Sequence, residues 1–226
     1  MSGVFVTAIG TDCGKTHVSA AIVRHLRGAG RPALALKPLM SGFSPDQLEA
    51  SDAGRLLLAM GLPVDATTVS DICWRSFIEP LAPNVAARRA GVALVYAEML
   101  EFLRTRIAAH SGAVLVEGAG GVMSPLTDTH TNIDLAADLG FPVVLLASSY
   151  LGAISHTLTA VEVLTQRGLK PALIVATEPS ADASPAAPFI DELARWTDIR
   201  LLAAPYAPAI ADSAGHGTAI ATALFG

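Results

Sequence analysis

The stretch Gly10-Thr11-Asp12-Cys13-Gly14-Lys15-Thr16 follows the apolar run Val4-Phe5-Val6 and opens a helical pattern over Lys15–Arg27. A strand, a glycine-bearing loop and Lys-Thr at a helix start are the sequence form of a phosphate-binding loop. Backbone N–H groups of such a loop and of the helix N-terminus point at phosphate oxygens, and Lys15 adds a point charge. The Thr16 hydroxyl stands where it can ligate Mg2+. The spacing departs from the usual one: Ile9 occupies the position where a first loop glycine is wanted, and Ala8 precedes it. Gly-Lys-Thr is short enough to arise by chance, so an ordinary strand-to-helix turn is the competing reading at this point.

The rest of the chain supplies the context that the loop needs. Apolar β-rich runs at Val4–Thr7, Ala33–Lys37, Ala113–Glu117, Val143–Ala147, Leu173–Ala176 and Arg200–Ala203 alternate with helical patterns. The expected helices are Lys15–Arg27, Asp52–Met60, Leu94–His110, Asn132–Leu139, Ala153–Arg167 and Pro188–Trp196. Continuous apolar strands such as Val143-Val144-Leu145-Leu146 suit a parallel sheet buried on both faces. The pattern predicts a doubly wound α/β fold in a single domain over residues 1–226, mostly parallel, with helices on both faces. Gly30-Arg31-Pro32, Gly140-Phe141-Pro142 and Gly168-Leu169-Lys170-Pro171 each stop a helix and feed a strand. Ser180–Pro188 reads as a surface loop, and Ala219–Gly226 as a short uncharged C-terminal segment.

Composition narrows the function classes. The 226 residues are 52% hydrophobic and 15% charged, with net charge −5 and no basic-aromatic clusters, which argues against nucleic-acid binding. Two cysteines, Cys13 and Cys73, make no disulfide framework and suit a reducing, cytoplasmic setting. The most apolar window, Phe141–Ala160, is broken by Ser148, Ser149, Gly152 and His156 and reads as a strand plus a helix, so no membrane span is expected. No basic segment with a following apolar run opens the chain, so no signal peptide is expected.

Ligands of open parallel sheets bind at the carboxyl ends of the strands, and the polar residues gather there. Lys37-Pro38-Leu39-Met40-Ser41-Gly42 ends the second strand, and Glu117-Gly118-Ala119-Gly120-Gly121 the third. Taken singly, Lys37 is equally a solvated charge, Glu117 a turn cap, and Asp52 of Ser51-Asp52-Ala53 a helix N-cap. Taken together, Lys15, Thr16, Lys37, Asp52 and Glu117 supply the cations and hard oxygen ligands that a nucleoside triphosphate and its Mg2+ require. Replacing Lys37 with alanine is expected to lower turnover by on the order of 10²-fold or more and largely to spare folding, because a strand-end lysine contributes little packing.

These residues resemble the dethiobiotin synthase family over essentially the whole chain. The resemblance rests on Phe5-Val6-Thr7, Gly14-Lys15-Thr16, Leu36-Lys37-Pro38 with Ser41-Gly42, and Ser51-Asp52-Ala53. It continues through Glu79-Pro80 with Pro83, Val116-Glu117-Gly118-Ala119-Gly120-Gly121, and Leu151-Gly152 with His156. It implies a P-loop NTPase-like fold and a cytoplasmic, homodimeric, Mg2+-dependent ligase with ATP as co-substrate. The reaction implied is carboxylation of 7,8-diaminononanoate with CO2 (or bicarbonate), phosphorylation of the carbamate, and ring closure to dethiobiotin. By the same resemblance Lys15 and Lys37 are catalytic, and Thr16, Asp52 and Glu117 hold the metal. Nucleotide contacts fall to Asp12, Cys13, Gly14, Lys15, Thr16, His17, Glu117, Gly118, Ala119, Gly120, Thr177, Glu178, Pro205 and Tyr206. Thr11, Lys37, Ser41 and Gly118 contact the diamine. Its carboxylate tail falls to the helix start Gly152-Ala153-Ile154-Ser155 of a second subunit.

Departures from the family pattern carry their own expectations. Ala8 replaces the first loop glycine, Asp12 a glutamate and Ser155 an asparagine, while Thr177-Glu178 replaces the Asn-Asp pair that reads the adenine edge. Loss of that pair predicts lax base selection, with GTP or CTP supporting turnover. A partitioning-type ATPase switch is the runner-up, but Gly10 stands where its signature lysine belongs. A related glutamine-using amidoligase would need a further domain with a nucleophilic cysteine.

Overall fold

The computed structural model describes residues 3–226. The first third of the chain contributes β1 (Gly3–Ala8), α1 (Lys15–Gly28), β2 (Ala33–Leu36), β3 (Leu39–Ser41), α2 (Asp52–Met60) and α3 (Ala66–Ile72). The middle holds β4 (Arg75–Phe77), α4 (Pro83–Arg89), α5 (Tyr96–Ala108), β5 (Ala113–Glu117), α6 (Asn132–Leu139) and β6 (Val143–Ser148). The last third holds α7 (Ala153–Gln166), β7 (Leu173–Thr177), α8 (Ala186–Leu193), β8 (Leu201–Ala204) and α9 (Ala214–Phe225). Short 3-10 turns at Pro45–Ala50 and Ile210–Ser213 lead into α2 and α9.

Six strands form one sheet in the order β2-β5-β1-β6-β7-β8, and every adjacent pair is parallel. All residues of β1, β5, β6 and β7 are buried, as strands covered on both faces must be. The chain leaves β1 for β2 on one side and later returns to β6 on the other. Right-handed crossovers then put α1 on one face and α6, α7 and α8 on the opposite one. The order of strands reverses at β1, and the crevice outside its carboxyl end is the place where such sheets bind ligands. The β1–β5 register pairs Val6 with Glu117, which brings the acid at the end of β5 alongside the phosphate loop.

All six expected strands form, with small shifts at their ends; β2 stops at Leu36, so Lys37 lies just past it. The small parallel pair β3–β4 and helices α3 and α4 were not anticipated, because each is at most seven residues and shows no clear period. The expected loop Ser180–Pro188 is shorter, since α8 already begins at Ala186. Pro188 sits in its first turn, where N–H groups have no intrahelical acceptor and proline is tolerated. Most of Ala219–Gly226 belongs to α9, which Gly215 and Gly217 disguise. Gly217 is needed for close approach: a Cβ there would lie 2.8 Å from the Ala21 carbonyl of α1. The apolar window Phe141–Ala160 is β6 followed by α7, and no helix among the described residues is long and apolar enough to cross a membrane.

Candidate active site

The phosphate loop runs from the end of β1 to the start of α1. Asp12 at φ 55° and Gly14 at φ 73° take left-handed conformations that turn the chain sharply, and the second needs glycine. No side chain caps α1 and no acid stands in its first turn, so its leading N–H groups are free for an anion. Lys15 folds back over the loop, donating from Nζ to the Gly10 carbonyl at 3.0 Å. Cys13 points inward: its thiol lies 3.4 Å from the Ser148 hydroxyl, and its carbonyl accepts from Thr177 Oγ1 at 3.0 Å. Ala8 is fully buried as the last residue of β1, so the missing glycine falls in a strand rather than in the loop.

Behind the loop lies a buried charge cluster. Lys37 Nζ is 2.6 Å from Glu117 Oε1, 3.0 Å from Asp52 Oδ2 and 3.2 Å from the Gly118 carbonyl. Thr16 Oγ1 donates to the same Glu117 oxygen at 2.7 Å. Lys37 and Glu117 are 3% and 1% exposed, so Lys37 is not the solvated charge that its strand-end position allowed. Burial alone would lower the Lys37 pKa, but the Glu117 and Asp52 carboxylates outweigh it and hold the ammonium above its ordinary value. Lys15 is pushed the other way, by burial first and by the charge of Lys37 second. Burial would raise the Asp52 pKa, yet Lys37 keeps it below the usual carboxylate value. Asp52 does not cap α2; Ser51 does, accepting from the Gly54 N–H at 3.0 Å.

The residues present fit a divalent cation. Glu117 Oε2 is buried with no hydrogen-bond partner, while the Thr16 hydroxyl and the half-exposed Asp52 carboxylate stand beside it. An orphaned buried carboxylate oxygen costs free energy unless something cationic or a donor meets it. No group of three or more His, Cys, Asp or Glu side chains converges among the described residues. That suits Mg2+, which takes one or two carboxylates, a hydroxyl, phosphates and waters rather than a protein cage.

The cluster forms one end of a cleft of about 450 Å3. Thr11, Lys15, Thr16, Lys37, Ser41 and Asp52 line that end, while Thr177, Glu178, Pro205 and Tyr206 line the other. Residues that the sequence singles out for substrate, metal and nucleotide therefore line one cleft. Glu117 and Gly118 lie just beneath the wall, and Ala119 and Gly120 are on it. Gly152-Ala153-Ile154-Ser155 is not part of this wall: the α7 start lies elsewhere on the chain's surface, with Leu151 fully exposed. Glu178 has a second task, since its carboxylate accepts from the Ala186 N–H at 2.8 Å and the Tyr206 N–H at 3.1 Å.

Two contributors escaped the sequence. Arg55 lines the cleft one helical turn after Asp52, and its side chain makes no hydrogen bond or ion pair among the described residues. The i,i+3 spacing from Asp52 is the signal that points to it. Asn132, fully buried at the start of α6, donates to the carbonyls of Ala119 at 2.6 Å and Gly121 at 2.7 Å and so fixes the glycine turn. Nothing local marks it, because its partners are more than ten residues away.

A family model described as an AAA domain matches residues 2–213. The ATP-dependent dethiobiotin synthetase of Phenylobacterium zucineum is 48% identical over 198 residues, covering 87% of this chain and 83% of that one. That of Acidiphilium cryptum is 49% identical over 177 residues, covering 77% and 79% respectively. The solved MinC:MinD cell division protein complex of Aquifex aeolicus matches with a TM-score of 0.54 at 10% identity, over 96% of this chain and 86% of that one. The last likeness carries the fold alone. With relatives this similar over most of both lengths, the chain belongs to the ATP-dependent dethiobiotin synthetase family.

Proposed function

We propose that this chain is an ATP-dependent cyclo-ligase that converts 7,8-diaminononanoate and CO2 into dethiobiotin, with release of ADP and phosphate, in biotin biosynthesis. The observation that carries the reading is the buried Lys37 ammonium, bonded to Glu117 and Asp52 beside Lys15 and Thr16 in one cleft. One amine of the diamine attacks CO2, loses a proton and becomes a carbamate. A carbamate oxygen then attacks the γ-phosphorus of ATP and ADP leaves. The second amine attacks the carbamate carbon, phosphate leaves, and the ureido ring closes.

The difficulty is electrostatic, because two anions must meet in the second step. Lys37 is held charged by its carboxylate partners, so it acts as a fixed positive charge and not as a base. Among the described residues Lys15 Nζ bonds a loop carbonyl alone, and it can exchange that for a phosphate oxygen. Thr16, Asp52 and Glu117 would hold Mg2+, whose chemistry is to neutralise charge on the transferring phosphoryl group. Thr11 and Ser41, with backbone of the Gly118 turn, bind the diamine and its carbamate.

The tail carboxylate is assigned to the uncapped α7 start, Gly152–Ser155, of a partner subunit in a homodimer. A single-domain, cytoplasmic enzyme completes the reading. It is tested by incubating the purified protein with diaminononanoate, bicarbonate, Mg2+ and ATP and following the ureido product by mass spectrometry. No product in the presence of all four would overturn it.

A further inference from the structure

We propose that Glu178 is a positioning residue for the nucleotide: its carboxylate clamps the loop at the base end of the cleft and does not itself read the base. The inference rests on the reading of the cleft as a nucleoside triphosphate site. Both carboxylate oxygens are engaged by main-chain donors, Oε1 by the Ala186 N–H at 2.8 Å and Oε2 by the Tyr206 N–H at 3.1 Å. The Glu178 N–H donates to the Ala204 carbonyl at 3.1 Å, so its backbone holds the end of β8 and its side chain the loop that follows. The preceding Thr177 hydroxyl donates to the Cys13 carbonyl at 3.0 Å. The Thr177-Glu178 dipeptide therefore ties the phosphate loop at one end of the cleft to the Pro205-Tyr206 wall at the other.

The residue type follows from the donor count. Two N–H groups from separate segments need two acceptor oxygens on one side chain. Glutamine offers one oxygen and turns an NH2 toward the other N–H; aspartate is a methylene shorter. A carboxylate that accepts from backbone N–H groups also makes stronger bonds than a neutral acceptor. Residues 205–208 make no other hydrogen bond among the described residues, and Tyr206 is 43% exposed. Without the clamp, a nucleotide would have to order this loop on binding and lose affinity accordingly.

The experiment measures dissociation constants by calorimetry, with Mg2+, for wild type, Glu178→Gln and Glu178→Ala. The probes are ATP, purine riboside triphosphate (which lacks the exocyclic amine) and inorganic tripolyphosphate. Loosening a clamped loop is expected to weaken both nucleotides alike, by about tenfold in Glu178→Ala. Tripolyphosphate, which does not reach the base end, should change by less than about twofold. Glu178→Gln should fall nearer to Glu178→Ala than to wild type, and hydrogen exchange at the Tyr206 amide should quicken in both variants.

If Glu178→Ala weakens ATP but not purine riboside triphosphate, the carboxylate reads the amine and the clamp is refuted. Unchanged ATP binding, or equal weakening of tripolyphosphate, refutes it too. Failure of wild type to bind either ATP or tripolyphosphate would instead overturn the underlying reading of the cleft.

Discussion

Lys37→Met separates the two roles of the central lysine. In wild type its ammonium lies between Glu117 at 2.6 Å and Asp52 at 3.0 Å, with Lys37 3% and Glu117 1% exposed. Removing one partner of a buried ion pair costs roughly 3–5 kcal/mol, because the other charge is left uncompensated. Asp52 keeps its contact with water, its side chain being 41% exposed, so Glu117 alone bears the loss. The Thr16 hydroxyl still serves Glu117, at 2.7 Å. The lower end of the range, about 3 kcal/mol, is therefore the expected loss. For a chain of this size each kcal/mol moves the melting temperature by about 2–4 °C, so Lys37→Met should melt about 6–12 °C lower.

This corrects the expectation drawn from sequence that folding is spared. The double variant Lys37→Met/Glu117→Gln removes the stranded charge, so it should regain more than half of the lost melting temperature. Turnover, read by mass spectrometry, should fall by on the order of 10²-fold or more in both, as it does when a preorganised charge is lost. A Lys37→Met protein melting within about 2 °C of wild type would refute the burial argument. One retaining turnover within about tenfold would remove Lys37 from the chemistry.

Other perturbations probe the rest of the cleft. Asp52→Asn should raise the Mg2+ needed for half-maximal turnover by about tenfold while costing about 1 kcal/mol or less in stability, because Ser51 and not Asp52 caps α2; an unchanged Mg2+ titration would exclude Asp52 as a ligand. Asn132→Ala removes both donors to the glycine turn and should lower stability by about 2 kcal/mol and raise KM for ATP, as urea melts and initial rates will tell. His17 and His216 have pKa values below the ordinary 6.5, chiefly through burial, with Arg55 adding to the first and His17 to the second. A depressed pKa gives stability that is complete above 6.5 and lost as pH falls through the folded value. Melting temperature should therefore drop between about pH 7 and 5, and His216→Gln should shrink the drop. Mixing Lys15→Ala with Ser155→Trp subunits should restore activity that neither has alone; no recovery after demonstrated subunit exchange counts against a shared site.

What sequence could reveal here was set by how local the physics is. The phosphate loop is one contiguous segment whose glycine, lysine and threonine act through their own backbone, so it reads directly. Lys37 and Glu117 stand at strand ends, and parallel pairing brings such ends together; their adjacency follows once the sheet is inferred. Their burial does not follow, because it depends on α2 and the Gly118 turn closing over them. Arg55 has a local signal in its i,i+3 spacing from Asp52, whereas Asn132 and the double grip of Glu178 depend on contacts between distant segments and left no periodic trace. The short β3–β4 pair and the glycine-bearing α9 were hidden for the same reason, since tertiary packing decides them against weak local preference.

The division of labour within the cleft also argues for its completion by a second chain. The chain's own cleft gathers the loop, both lysines and three oxygen-bearing side chains, the set that the proposed triphosphate and its metal require. For the anionic end of a long diamine, the one lining arginine among the described residues is Arg55, whose side chain has no ion-pair partner among them. The other group suited to a carboxylate, the α7 start, has Gly152 as its N-cap with no side-chain bond; the Ala153 N–H donates to the Tyr150 carbonyl at 3.0 Å, while those of Ile154 and Ser155 have no acceptor among the described residues. It lies outside its own cleft, beside Leu151 at 103% and Tyr150 at 43% exposure. An apolar pair flanking open N–H groups is the composition of a contact surface with a polar pocket in it. Two such surfaces related by a two-fold axis would each cover the other's apolar pair and each bring an anion site to the partner's cleft. Arg55 provides the internal check on that arrangement. If the tail were bound within one subunit, Arg55→Ala should weaken the diamine far more than Ser155→Trp; if it is bound across the dimer, the order of the two effects reverses.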